Sequence, residues 1–436
     1  MASRITTGLF SLIEWITGAL GLLHGPFSEK DLLARAQRRT GLTDFGDSSF
    51  EQPLEVLLRA YHEEANLNLL GRLAARWDTL RFLTNLLMLR QAEKTTPQIL
   101  DEPIKGPILI TGLPRSGTTF LHSLLALDPS NLAPLCWETI YPYCDPRRAP
   151  AKRDRRPERV DRQLAAFVRM VPELPSLHPM SARSPQECIE IQAHVFRSYR
   201  FDATHNVPSY RCWLDRTDHE IEYRFHKRFL RHLQHSKGPG RWVLKSPDHI
   251  FMMDAIRAVY PDARMVFVHR EPMEVLPSAA RLTELLRRPF TRAVDRLQIG
   301  REVMERWRMG ALRLIAEAER DRQSRRIFHI RYRELTADPL GAVVELYRHF
   351  GLELGDLARA RIRDYLAERP NGGYGRNSYH PEDFGLDSKE QWQRFSEYRD
   401  YFGIEEKKET DRAPRRFRGG FGRLTAPKAT KSRLIR

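Results

Sequence analysis

The sequence predicts an α/β fold with a P-loop-like core: a mainly parallel sheet flanked by helices, preceded by an N-terminal helical region. Three observations predict it. Short apolar runs at Ile108 to Ile110, 241–245 (RWVLK), 263–270 (ARMVFVHR) and 325–330 (RRIFHI) read as buried strands. Helical patterns lie between or after them at 248–260, 272–287, 298–319 and 339–350. Such alternation belongs to parallel sheets covered on both faces. The first strand runs into a glycine-containing turn and then a helix carrying Phe120, Leu121, Leu124, Leu125 and Leu127, the order in which a phosphate loop has physical meaning. Residues 28–98 repeat apolar groups at helical spacing, with no proline between 54 and 93.

A chain of 436 residues can bury a large core, and 41% hydrophobic with 29% charged residues excludes a disordered or fibrous protein. The formal charge of +16 suggests nucleic acid until it is located. Positions 407–436 hold eleven Lys or Arg against two acidic residues, so the tail contributes +9 and the other 406 residues +7. No aromatic-basic reading surface accompanies the excess, and no specific nucleic-acid partner is expected. About sixty of the 72 basic residues are arginine, whose planar fork meets phosphate or carboxylate. Cysteines 136, 144, 188 and 212 form neither a disulfide framework nor a CxxC cluster. The fifteen histidines include no HExxH, so no metal is expected; the His-Lys-Arg cluster at 226–235 reads as a solvated helix face.

The chain divides into an N-terminal helical region (1–98), an α/β domain (99–406) and a basic, flexible tail (407–436). In the first 24 residues Glu14 interrupts the apolar run, which leaves too few residues for a membrane span of about 20. A charged leader rests on Arg4 alone and no small-x-small cleavage site is evident, which argues against a secretory signal. Leu9, Leu12, Ile13 and Ile16 share one helical face, suited to packing on the body of the protein or to lying on a membrane surface with Trp15 at the interface. The expected location is cytoplasmic, with membrane association kept open. Residues 145–163, dense in Arg, Asp and Pro, read as exposed.

The turn Gly112-Leu113-Pro114-Arg115-Ser116-Gly117-Thr118-Thr119 has two glycines five apart. Glycines permit a tight turn and close approach of oxygen, after which backbone N–H groups point at the anion. A nucleoside-triphosphate loop would place lysine after the second glycine; here Thr118 stands there and the cation is Arg115, inside the loop. That counts against an ATPase or kinase.

PRSGTTF resembles the 5′-phosphosulfate loop of sulfotransferases that use 3′-phosphoadenosine 5′-phosphosulfate (PAPS). About 155 residues on, ARMVFVHREPMEVLPSAARL resembles the family's 3′-phosphate motif, with Arg270 ending a strand and Ser278 eight residues later in a helix that Pro272 can open. The resemblance covers roughly 106–385 and is nearest to the broad bacterial-type branch, with loop features shared with protein-tyrosine sulfotransferases. It implies that Arg115, Ser116, Gly117, Thr118 and Thr119 hold the phosphosulfate and that Arg270 and Ser278 hold the 3′-phosphate. LKSPDHI resembles the branch's Lys-Ser-Pro segment and would bring Lys245 toward the cofactor, FHIRYRELTADPL its late strand and Tyr-containing loop, and GYGRNSYHPEDFGLD its C-terminal element, where Arg376 would help to close over the nucleotide.

The expected activity is therefore sulfuryl transfer from PAPS, leaving adenosine 3′,5′-bisphosphate (PAP), to the hydroxyl of a small-molecule or lipid acceptor. The alternatives are a P-loop phosphotransferase and a non-catalytic nucleotide- or nucleic-acid-binding protein. Arg115 grips the phosphosulfate and Lys245 stabilises the leaving oxygen. Glu138 is the expected base, because Glu138-Thr139 resembles the catalytic Glu-Thr of the tyrosyl-protein enzymes. A carboxylate needs a close alcohol and partial desolvation for this work. The rivals are Glu187, with Arg183 four residues before it, His178 and His194; His122, on the first helix, suits orientation or packing as well as chemistry. The acceptor and the oligomeric state are not legible.

Overall fold

The computed structural model of the protein describes residues 27–144, 153–369 and 380–405. Five strands, β1 (Ile108–Gly112), β2 (Asn131–Leu132), β3 (Arg241–Lys245), β4 (Arg264–His269) and β5 (Ile327–Arg331), form one sheet in the order β2-β3-β1-β4-β5. Every pairing is parallel; Ile110 lies opposite Lys245 on one side and Val266 on the other. The apolar runs split by the alternation of a strand. Ile108, Ile110, Val243, Val266 and Val268 face one core with the helices Thr118–Leu125 and Pro339–His349. Leu109, Trp242, Leu244, Met265 and Phe267 face the other, larger core. That core is continuous with the N-terminal helices Glu29–Thr40, Glu51–Glu63 and Leu69–Thr95.

The helix Pro272–Arg287 follows β4 as its sequence requires. Pro272 occupies the first turn, and the Glu271 carboxylate accepts from the N–H groups of Met273 and Glu274. Three readings change. The two-residue strand β2 is too short to announce itself by pattern. Residues 156–163, expected as part of an exposed stretch, open the helix Arg156–Met170, with Pro157 in its first turn and Val160 buried. The cluster at 226–235 is not a solvated face: His226 and His232 are buried, His226 against the Tyr260 hydroxyl and His232 against Glu93. Among the described residues no helix is long and apolar enough to cross a membrane. The apolar segment 1–24, the tail 407–436 and Arg376 lie outside the described residues.

Candidate active site

Because β1 sits between β3 and β4, the carboxyl ends of three strands converge and deliver Gly112, Lys245 and the His269–Arg270 pair to one edge. The turn after β1 leaves no room for side chains at its two glycines. A Cβ on Gly112 would stand 2.3 Å from the Val268 carbonyl oxygen, and one on Gly117, whose φ is +95°, would stand 2.8 Å from the Tyr332 ring. Arg115 is itself in the left-handed region at φ +63°, a conformation that costs a side-chain-bearing residue about 1–2 kcal/mol. No side chain caps the first turn of the helix Thr118–Leu125, and the buried Ser116 hydroxyl has no hydrogen-bond partner among the described residues. A helix start without a side-chain cap, an unpartnered hydroxyl and a Cβ-free cradle fit a phosphate or sulfate group.

The two motifs meet. Arg270 Nη1 donates to the Arg115 carbonyl at 2.6 Å, and Arg115 Nε donates to Ser278 Oγ at 3.2 Å. Arg270 Nε also donates to Glu274 at 2.9 Å, and its guanidinium lies 3.9 Å from the centroid of the Tyr332 ring. Carbonyl, carboxylate and ring fix the plane of that guanidinium. The resemblance assigns the 3′-phosphate to Arg270; on that assignment Arg270→Ala is expected to weaken PAP binding by about 10- to 100-fold, the worth of a charge-assisted contact, and to leave binding of the analogue without a 3′-phosphate within twofold. Calorimetry with both nucleotides reads the difference.

Lys245 ends β3 with 1% of its surface exposed. Its Nζ donates to Thr119 Oγ1 at 3.0 Å and forms a short ion pair with Glu187. Burial pushes the Glu187 carboxyl up, but Lys245 and His178 outweigh it and hold the carboxyl below its ordinary value. Burial pushes the half-buried His178 imidazole down to about 4, with Glu187 opposing and Lys245 and Arg115 adding to the shift. His122 Nε2 donates to the Val243 carbonyl at 3.0 Å and the imidazole is pushed by burial to about 3, so it is a neutral ring packed behind Lys245.

Glu138 is not brought to this cluster. One carboxylate oxygen accepts from the Leu135 N–H at 2.9 Å, and the other pairs with Lys237 at 2.8 Å. Its neighbours instead support the loop that carries Glu187. Leu135 bridges Pro185, the Cys136 N–H donates to the Ser184 carbonyl at 3.0 Å, and the Gln186 N–H donates to the Pro134 carbonyl at 2.8 Å. The expected base is thus one layer out from the cavity and its rival lines it. Arg183 is exposed, and the partner of Glu187 is Lys245, because 182–186 runs alongside 134–137 and shares no helix with Glu187. His194 is held by Asn85 and the Glu190 carbonyl, outside the cavity.

The cavity has a volume of about 690 Å³. Arg115, Thr118 and Thr119 line one part of it, Arg270, Ser278 and Tyr332 another, and Glu187 and His178 stand beside an apolar wall of Ile189, Leu282, Leu286, Val303 and Trp307. Among the described residues no group of three metal-ligating side chains could hold an ion.

The profile described as "Sulfotransferase family" matches residues 107–356, which contain every described side chain of this cluster. The chain belongs to the sulfotransferase family. The crystal structure of sulfotransferase STF1 from Mycobacterium tuberculosis H37Rv is similar over 85% of this chain and 99% of that one, at 33% identity and a TM-score of 0.74. Sulfotransferase STF9 from Mycobacterium avium is similar over 87% and 97%, at 28% identity and a TM-score of 0.78. A curated relative, the omega-hydroxy-beta-dihydromenaquinone-9 sulfotransferase Stf3 of Mycobacterium bovis, is 26% identical over 295 residues, 63% of this chain and 69% of that one. This protein is a PAPS-dependent sulfotransferase that transfers a sulfuryl group to a hydroxyl acceptor. The phosphotransferase and the non-catalytic binder fall away.

Proposed function

We propose that this sulfotransferase acts on a lipophilic alcohol, with Glu187 as general base and Lys245 at the leaving oxygen. The observation that carries the proposal is the Lys245–Glu187 pair beside Thr119, at the junction of the anion loop and the apolar wall. Arg115 and the N–H groups of Ser116, Gly117, Thr118 and Thr119 would hold the phosphosulfate; Arg270 and Ser278 would hold the 3′-phosphate. PAPS, when bound, supplies an activated sulfuryl group on a phosphate leaving group. Lys245 keeps Glu187 ionised before the acceptor arrives, Glu187 takes the proton of the alcohol, and the Lys245 ammonium then faces the charge that develops on the departing oxygen. Burial of the pair strengthens both effects.

The wall formed by Ile189, Leu282, Leu286 and Trp307 supports an apolar acceptor, and so does the omega-hydroxy-beta-dihydromenaquinone-9 in the name of the Mycobacterium bovis relative. A cytoplasmic location with peripheral membrane contact through the apolar sequence 1–24 fits such an acceptor and belongs to the same proposal.

Incubation of the protein with radiolabelled PAPS and a total cell extract, followed by solvent partition, tests it. Label in the chloroform-soluble fraction is expected, along with calorimetric binding of PAP and none of ATP. Label confined to water-soluble products would overturn the acceptor class, and indifference to PAP would overturn the donor assignment.

A further inference from the structure

The helix Leu69–Thr95 contributes no group to the anion loop, yet it buries two charges against the segment that bears Glu187. Arg81 Nη2 lies 2.6 Å from Asp78 and 2.7 Å from Glu190; Arg200 Nη1 lies 2.5 Å from the other Asp78 oxygen, and its Nε 2.7 Å from the other Glu190 oxygen. Two carboxylates and two guanidiniums thus alternate in a closed ring. Arg81, Glu190 and Asp78 are 4%, 5% and 8% exposed. Such a ring is a weak source of stability, because well-packed apolar residues of the same volume usually serve as well or better. What it supplies is a fixed position: each planar fork accepts its partners in one geometry.

Glu190 belongs to the one-turn helix Cys188–Gln192, whose N-cap is Glu187, and the Glu190 N–H donates to the Glu187 carbonyl at 3.2 Å. The same long helix grips the segment a second time. Asn85 Nδ2 lies 3.0 Å from His194 Nε2, and His194 Nδ1 lies 3.1 Å from the Glu190 carbonyl. It grips the other side of the loop as well: Arg81 and Asn85 both donate to the Ile140 carbonyl, at the end of the helix Cys136–Ile140, whose start pairs with residues 182–186.

We propose that Asp78 and Arg81 are positioning residues, which act through Glu190 and Arg200 to hold the Glu187 carboxylate against Lys245. This rests on the reading of Glu187 as the base. The N-terminal helical region then completes the active site of the α/β domain without touching substrate.

The test is an NMR titration of the protein labelled at glutamate side-chain carboxyls, with Glu187 assigned by its loss in Glu187→Gln. Lys245, His178, His122, Cys188 and Asp248 are titratable groups that act on Glu187. In Asp78→Asn the carboxylate drifts from Lys245 while burial remains, so its midpoint is expected to rise by about one unit. PAP affinity, which a merely local change leaves alone, should stay within twofold. Arg81→Lys keeps one charge but cannot bridge two carboxylates; it should move the midpoint the same way and decides the matter if Asp78→Asn fails to fold. An unmoved midpoint in variants that still bind PAP overturns the proposal. So does loss of PAP binding in both, since the ring would then hold up the whole fold. Normal sulfuryl turnover by Glu187→Gln would instead remove the base assignment and leave the measured coupling intact.

Discussion

Glu187→Gln is expected to lower kcat by about 10²- to 10⁴-fold, the usual worth of a positioned general base, with PAP affinity within a few-fold of wild type. The amide keeps the shape of the carboxylate and can still accept a hydrogen bond from Lys245, so the loop should hold its place while proton acceptance is lost. Glu138→Gln is the matched control. That carboxylate is committed to the Leu135 N–H and to Lys237, so the change should cost roughly 1 kcal/mol of stability and leave turnover within about twofold. The pH profile adds a signed expectation. The folded value of Glu187 is depressed by Lys245 against the opposing effect of burial, so the base stays ionised through the ordinary carboxylate range. The acid limb of kcat/KM should therefore lie below the ordinary glutamate value of about 4.3 and activity should be lost only as pH falls through that lower value. Inverted results for the two glutamines would return the base to Glu138.

The sheet and the anion loop were readable because each is a local pattern. Ile108 to Ile110 and RWVLK are apolar runs of strand length, and the alternation that splits them between two cores is a property of any buried strand. That the anion loop and the Arg270–Ser278 motif share one cavity was legible only because two motifs of one family implied a shared ligand; the direct hydrogen bond of Arg115 to Ser278 across 163 residues was not. Which glutamate faces the cavity was not legible from spacing. Glu138 follows the apolar Leu135-Cys136-Trp137 and Glu187 precedes Cys188-Ile189, and the Pro134–Trp137 and Ala182–Gln186 stretches lie side by side, so the two carboxylates sit on neighbouring segments. Which one faces inward depends on contacts a single sequence does not carry: Lys237 draws one out, and Lys245 draws the other in. The helices of the N-terminal region were visible by period, but the burial of Asp78 and Arg81 ran against composition, since charges are rarely buried and the partners that close the ring around this local pair, Glu190 and Arg200, lie 109 and 122 residues away.

Lys245→Met is expected to be the second large loss, because it removes two functions at once. The leaving oxygen loses its cation, worth about 10²- to 10³-fold in kcat. The Glu187 carboxylate loses the partner that offsets its burial, and with desolvation unopposed its value should rise above the ordinary range, so that less base is ionised at neutral pH. The second loss has a stability signature of definite sign. In wild type the folded carboxyl is depressed, so it contributes stability above its unfolded value that disappears as pH falls through the folded one. In the variant the folded value is raised, so the group stabilises the fold below its unfolded value and that contribution is lost as pH rises through the folded value. The buried neutral histidines cost both proteins stability as pH falls, so the expected signature is in the difference: the gap in melting temperature between Lys245→Met and wild type should narrow on going from pH 7 to pH 5. At pH 7 the variant should lose roughly 3 kcal/mol, the lower end for breaking a buried pair, since Glu187 keeps 20% of its side-chain surface exposed. Adding Glu187→Gln to Lys245→Met should recover most of that stability, because no unpaired charge is left, and should recover none of the activity. A double variant as unstable as the single one would show that Lys245 serves the fold through Thr119 and the strand end, and not through Glu187.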